Sequence, residues 1–172
     1  MTTELLVLRL VHILCGMFWI GSGVFTSVFL MPALAQVGPA AGPVMTGLQK
    51  RHLFTVLPIV AVLTILSGVR LMWLTSAGFS PAYLASAPGR TYAASGAAAI
   101  LGFLLSLVVA RPAALRAARL GGTLAATPDH AARAALTRDL GRLRRLSARA
   151  SVAAVSLVVL SAAGMAVARY LR

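Results

Sequence analysis

The sequence has 172 residues, of which 59% are hydrophobic and only 11% are charged. Soluble domains carry about a quarter charged residues, so this composition excludes an ordinary soluble domain and indicates a membrane protein. The formal net charge is +13, with Glu4, Asp129 and Asp139 as the only acidic residues. Most arginines stand between apolar runs without interleaved aromatic residues, which favours anionic lipid over nucleic acid as the partner of this charge.

Several classes of chemistry are excluded by the residues present. Cys15 is the only cysteine, so an intrachain disulfide, a cysteine zinc site and a Cys-x-x-Cys redox pair are excluded. The apolar start lacks a basic n-region and is too long for a cleavable signal peptide, so we expect it to be retained. Serine-hydrolase, P-loop and glycine-rich nucleotide motifs are absent, and whether the protein is an enzyme stays open.

Four apolar segments predict membrane-spanning helices, at about residues 5–35, 53–75, 91–110 and 150–169. The uncharged core of the first segment exceeds 20 residues, enough to cross roughly 30 Å of hydrocarbon at about 1.5 Å per residue. Pro58 predicts a kink in the second span. Glycine and proline predict a short turn at residues 38–43 and a loop at residues 76–89.

The third span and the basic stretch that follows it, residues 111–149, predict close helix packing. The span is rich in alanine, glycine and serine, which lets helix backbones approach in lipid and would leave room for a flat cofactor. Thr127-Pro128-Asp129 predicts a helix start with proline at the first helical position. Leucines then recur at helical spacing on a face opposite arginines; they are Leu136, Leu140 and Leu143.

The predicted fold is an all-α integral membrane four-helix bundle, a single domain over residues 1–172, with helices 3 and 4 extended into the cytoplasm. The loops on one side of the membrane hold Lys50, Arg51 and nine arginines, against five arginines on the other side. The side richer in positive charge is expected to be cytoplasmic. We therefore predict a multi-pass protein of the bacterial inner membrane with both termini in the periplasm or outside.

His12 is the one histidine inside an apolar span. It lies roughly 10 Å within the outer edge of the first span, where an ionisable group is costly and marks a functional site by default. Two interpretations are open: the imidazole ligates haem or another metal, or it is hydrogen-bonded to a serine or threonine of a neighbouring helix. His52 and His130 lie at the opposite end, so a bis-histidine haem within one chain is not expected.

Met165 lies at the depth of His12 in the fourth span. Histidine–methionine ligation is a known haem pairing, which makes Met165 a candidate second axial ligand. Ordinary apolar packing of Met165 is one alternative, and an open sixth position on the iron is another.

Three arginines lie at the outer ends of the second, third and fourth spans, at the level of His12. They are Arg70, Arg90 and Arg169. Arginine binds carboxylates through two parallel hydrogen bonds, so the set is a candidate site for haem propionates. Snorkelling to lipid phosphate is the alternative. Tyr92 and Tyr170 could add hydrogen bonds at this end, although tyrosine also populates membrane interfaces generally.

The first span resembles that of a loose group of small bacterial membrane haem proteins. In this chain His12 is followed seven positions later by Trp19 and then by Ile-Gly. The group includes the membrane protoporphyrinogen oxidases, the copper-resistance D type proteins and the membrane domain of cytochrome-linked urate oxidases. The resemblance implies a haem b site on His12.

The second span is similar to the oxidase family's pattern R-x-L…P…T…G, through the run 51–58 with Thr64 and Gly68. The resemblance covers about residues 9–75. The oxidases also use a lysine early in the third span, whereas Lys50 is the only lysine here and lies before the second span.

We therefore predict a haem b-binding membrane protein with an electron-transfer or redox role. The first alternative is an accessory subunit of a larger respiratory or photosynthetic membrane complex, packed through the third span and the basic stretch. The second alternative is a protoporphyrinogen oxidase-like enzyme that lacks the usual lysine. The expected partners are anionic lipid, through the cytoplasmic arginines, and a membrane protein complex or further copies of the chain.

Overall fold

The computed structural model describes residues 3–126 and 129–171. These ranges contain helices and no strand, which confirms the all-α class. Four of the helices are long and apolar enough to cross a membrane, as predicted. The helices are α1 (Thr3–Val37), α2 (Ala41–Lys50), α3 (Leu53–Thr75), α4 (Pro81–Ala85), α5 (Ala87–Ala126) and α6 (His130–Ala168).

The long helices pack mainly as two antiparallel pairs, α1 with α3 and α5 with α6. Small residues set the close approach of α5 and α6, because a Cβ on Gly102 would lie 2.8 Å from the carbonyl oxygen of Ala154. The predicted close packing of the third span is thus present. Since the obstructing atom belongs to the backbone, a larger residue at 102 would force the two helices apart.

The two pairs meet along one face of α1 and also where α3 contacts α5. The rings of Trp19 and Phe103 pack edge to face, with centroids 6.2 Å apart. A Cβ added to Gly23 would lie 3.3 Å from Val155 on α6. Helix α1 therefore touches each of the other three long helices, and most of its remaining surface consists of exposed apolar side chains such as Leu10, Leu14 and Met17.

Two segments with π-helical hydrogen bonding, Phe25–Leu30 in α1 and Ser106–Ala110 in α5, each end just before an x-Pro pair. The residue before the proline donates its N–H five positions back, Met31 to Thr26 and Arg111 to Ser106. Proline removes an i→i−4 bond and crowds the carbonyl four residues earlier. The wider turn accommodates that crowding without ending the helix.

Two segments predicted as turn and loop are largely helical. The turn at 38–43 is confined to Gly38–Ala40, and α2 begins at Ala41. In the segment predicted as a loop, Ser80 and Ser86 each cap a helix, accepting from the N–H groups of Tyr83 and Gly89. Proline near the start of each helix costs no hydrogen bond, so α4 forms and α5 begins at Ala87 instead of residue 91.

The second part of α5, residues 111–126, and the first part of α6, residues 130–149, pack as a pair that we call the basic arm. Leu140 is buried in the arm, and Leu136 and Leu143 are half-buried beside it, so the predicted leucine face is the packed face. Asp129 caps α6 by accepting from the Ala132 N–H at 2.9 Å, and the helix starts at His130. Thr127 and Pro128, on which the predicted proline start depends, lie outside the described residues.

Candidate functional site

One face of α1 carries the residues that contact the other helices. His12, Gly16, Trp19 and Gly23 follow each other at intervals of 4, 3 and 4, the spacing of a single helix face. Of these, His12 and Gly16 meet α3, Trp19 meets α5 and Gly23 meets α6. His12 therefore points towards neighbouring helices and not towards lipid.

The imidazole of His12 is held by the backbone of α3. Its Nδ1 lies 2.8 Å from the carbonyl oxygen of Thr64, and since a carbonyl only accepts, Nδ1 carries the hydrogen. The Ser67 hydroxyl lies 3.4 Å from Nδ1 and donates its own hydrogen to the Leu63 carbonyl at 2.6 Å. Ser67 Oγ is therefore a second, weaker acceptor for the same N–H.

This hydrogen bond fixes which ring nitrogen has a free lone pair. With Nδ1 protonated, the neutral ring leaves Nε2 unprotonated. Nε2 makes no hydrogen bond within residues 3–126 and 129–171. His12 is thus hydrogen-bonded to a neighbouring helix, as the second interpretation expects. The bond uses Nδ1 alone, as in many metal-ligating histidines, so it is compatible with ligation through Nε2, which stays a prediction.

Gly68 forms the floor under the imidazole. A Cβ placed on Gly68 would lie 2.7 Å from Cε1 and 3.1 Å from Nδ1 of His12. No side chain other than hydrogen fits without moving the ring. Gly16, one turn along α1, sits against the Thr64 methyl group, 3.5 Å from the position of an added Cβ.

Met165 lies close to the level of His12. Counted from the contact between Gly23 and Val155, His12 is eleven residues along α1 and Met165 is ten residues along α6, roughly 16 and 15 Å. The two helices are antiparallel and leave this contact towards the same end. Met165 is half-buried, and its neighbour Gly164 packs against Ser95 of α5.

The three arginines lie at this same end but in different surroundings. Arg70 donates from Nε and Nη2 to Glu4 Oε1 at 2.9 and 2.7 Å, which ties α3 to the start of α1. Arg169 donates to the hydroxyl of Tyr170 and stacks on its ring, 4.6 Å from the centroid. Arg90 is exposed.

The small-residue face of α5 does not provide the expected space for a flat cofactor. Gly102 and Ser95 lie on this face, and α6 covers them directly. Tyr92, near the start of α5, is half-buried. The neighbourhood of His12 is instead built by α1 and α3.

Sequence reasoning missed Ser67, although Thr64 and Gly68 stood in the second-span pattern. Both of those residues contact the face of α1 that carries His12. Serine three residues after threonine and one before glycine lies on the same helix face, which is the signal that could have identified it.

Within the described ranges, no three His, Cys, Asp or Glu side chains are grouped so that they could hold a metal ion. His12 is a single nitrogen donor, which suits a cofactor that brings most of its own ligands. Comparison with protein-family models, curated proteins and solved structures finds no match to this chain.

Proposed function

We propose that this protein binds haem b through His12 Nε2 and serves electron transfer in a membrane. The observation that carries the proposal is the 2.8 Å contact between His12 Nδ1 and the Thr64 carbonyl. It fixes the tautomer whose free Nε2 lone pair can ligate iron, and it orients the ring. Nε2 keeps accessible surface, because no buried side-chain nitrogen or oxygen lacks a partner in the described residues, so an iron atom could approach it.

Haem fits this site better than a bare metal ion does. A structural zinc site takes four protein ligands and a catalytic one three, whereas haem iron needs one or two axial ligands from the protein. His12 supplies one, and Met165, near the same level, is the candidate for the second. Haem bound here would supply one-electron redox chemistry.

The arginines at the outer end are suited to the propionates of such a haem. Arg90 is exposed and free to turn, and Arg70 uses only Nε and Nη2 on Glu4. These residues would hold carboxylates by charge-assisted hydrogen bonds. Arg169 is positioned by Tyr170 at the same end.

The proposed setting is the bacterial inner membrane, with both termini outside and the basic arm in the cytoplasm. The four apolar helices support membrane insertion, and the excess of arginine in the arm supports this orientation. The resemblance over residues 9–75 to bacterial membrane haem proteins supports the same assignment. Protoporphyrinogen oxidation is not proposed, because residues 91–96 contain no lysine.

An absorption spectrum of the purified chain tests the proposal. We expect a Soret band that His12→Ala abolishes and that added imidazole restores by filling the vacated position. His130→Ala is the matched control, since His130 is exposed at the start of α6, and it should keep the band. Absence of the band in the wild type reconstituted with haem, or its persistence in His12→Ala, would rule the proposal out.

A further inference from the structure

The basic arm carries a straight row of arginines on the side of α6 that faces away from α5. The members lie at intervals of 4, 3 and 4 and therefore share one helix face. The opposite face, which contains Leu140, packs on α5. All four arginines of the row are exposed; they are Arg138, Arg142, Arg145 and Arg149.

The packing of α5 and α6 shows where the arm leaves the membrane. The uncharged stretch between Arg90 and Arg111 is about 30 Å long, which matches the hydrocarbon thickness. Ser147 donates to the Ala110 carbonyl at 3.1 Å, so α6 crosses the same boundary close to Arg149. Because α6 is one continuous helix from His130 to Ala168, the arm projects away from the membrane and does not fold onto its surface.

Lipid headgroups reach only the near end of the row. Arg142 and Arg138 lie about 10 and 16 Å further along the helix axis than Arg149. The headgroup layer adds about 5–8 Å to the hydrocarbon, and physiological salt screens charges over about 8 Å. Arg149 and Arg145 can therefore bind lipid phosphate, whereas the outer arginines lie in the water phase, where they are accessible to a soluble anionic partner.

The surroundings of the row favour a protein as that partner. Leu146 is 47% exposed between Arg142 and Arg149, and arginine is enriched at protein interfaces. A shallow concave surface follows the row, lined by Thr137, Gly141, three arginines and one carboxylate, Asp139, so the arginines outnumber the acid three to one. Residues 111–149 contain no Phe, Tyr or Trp on which nucleic-acid bases could stack.

We propose that the row binds an acidic helix of a cytoplasmic protein, with carboxylates at the same 4, 3 and 4 spacing. The arginine guanidinium binds a carboxylate through two hydrogen bonds in a fixed geometry. Because the carboxylates have the same spacing as the arginines, four ion pairs can form along one helix. The proposal does not depend on haem binding, but it rests on the cytoplasmic position proposed above for the basic arm.

The full chain in phosphatidylcholine nanodiscs provides the test, because these carry no net lipid charge. The probe is a labelled helical peptide with four glutamates at 4, 3 and 4 spacing on one face. A second peptide of the same composition distributes its glutamates around the helix. Binding is measured by fluorescence anisotropy at physiological salt.

Two variants remove equal charge from different faces of the arm. The row variant combines Arg138→Gln, Arg142→Gln, Arg145→Gln and Arg149→Gln. The control variant combines Arg111→Gln, Arg116→Gln, Arg119→Gln and Arg144→Gln, all of them exposed positions. We expect the row variant to weaken binding of the spaced peptide at least about tenfold and the control variant about twofold.

Equal weakening by the two variants would show a diffuse charge effect and overturn the proposal. Equal affinity for the two peptides would also overturn it, as would tighter, row-dependent binding of a DNA or RNA duplex. If a quadruple variant does not fold, Arg138→Gln against Arg119→Gln gives the same comparison between faces, with a smaller expected difference.

Discussion

The imidazole of His12 rests directly on Gly68, so closely that a Cβ at position 68 would lie 2.7 Å from His12 Cε1. Histidine and glycine here form one unit across two helices. The glycine matters because of the ring above it, and the ring is held by the carbonyl of Thr64 one turn away. A larger residue at position 68 should therefore displace the His12 ring more than it disturbs helix α3.

Gly68→Ala should reduce haem retention about tenfold, in the range found when a group that orients a metal ligand is altered. The added methyl displaces the ring and weakens its bond to Thr64. Haem content per chain after purification is the measurement. Gly21→Ala is the control, because a Cβ there meets nothing within 4 Å; unchanged haem content in Gly68→Ala would contradict the assignment.

Met165→Leu should keep the haem but lower its midpoint potential. A methionine sulfur ligand raises the potential of haem iron, and leucine preserves the apolar volume while removing the sulfur. Potentiometric titration of the two proteins measures the difference. Identical potentials and spectra would show that Met165 only packs and that the sixth position is open or filled by another group.

Glu4→Gln and Arg70→Gln should separate stability from cofactor binding. Both side chains of the pair are 49% exposed, so either change should lower the free energy of unfolding by at most about 1 kcal/mol. Glu4→Gln releases Arg70 and should leave haem retention unchanged or higher, whereas Arg70→Gln should lower it. Thermal unfolding and haem content are measured together, and equal haem content in the two variants would exclude Arg70 as a propionate ligand.

Gly102→Ala should destabilise the pair of α5 and α6 by about 1–3 kcal/mol, the usual cost of overpacking. The new methyl would meet the Ala154 carbonyl oxygen at 2.8 Å, and a backbone atom cannot turn aside. Gly96→Ala, on the same helix with nothing within 4 Å, should be neutral or slightly stabilising. Thermal unfolding in detergent compares them, and equal melting temperatures would contradict the close packing described here.

The positions of the spans could be predicted because apolar length is local information. The bounds predicted for the second span, 53–75, are those of α3. The short helix α4 was missed for an equally local reason: glycine and proline were interpreted as breakers, whereas Ser80 and Ser86 turn the prolines that follow them into helix starts. Capping serines outweigh the proline signal at these positions.

The surroundings of His12 could be predicted only in part. Its depth and its need for a partner follow from the sequence, but which face of α3 meets α1 depends on packing between distant segments. Ser67 therefore became visible only in the structure, together with the bond to the Thr64 carbonyl. The pairing of Arg70 with Glu4 likewise joins residues 66 positions apart, and no local pattern encodes it.

The π-helical segment Ser106–Ala110 changes how the sequence of α5 must be counted. Buried positions on the face towards α6 are seven residues apart from Ser95 to Gly102, but eight apart from Gly102 to Ala110, after which Ala113 and Ala117 resume the usual spacing. The π-helical segment thus accommodates one extra residue, and the same face of α5 packs on α6 before and after it. In evolutionary terms this segment has the form of a single-residue insertion, so a sequence of the same architecture with an unbroken α-helix here would align with a gap of one between positions 106 and 110.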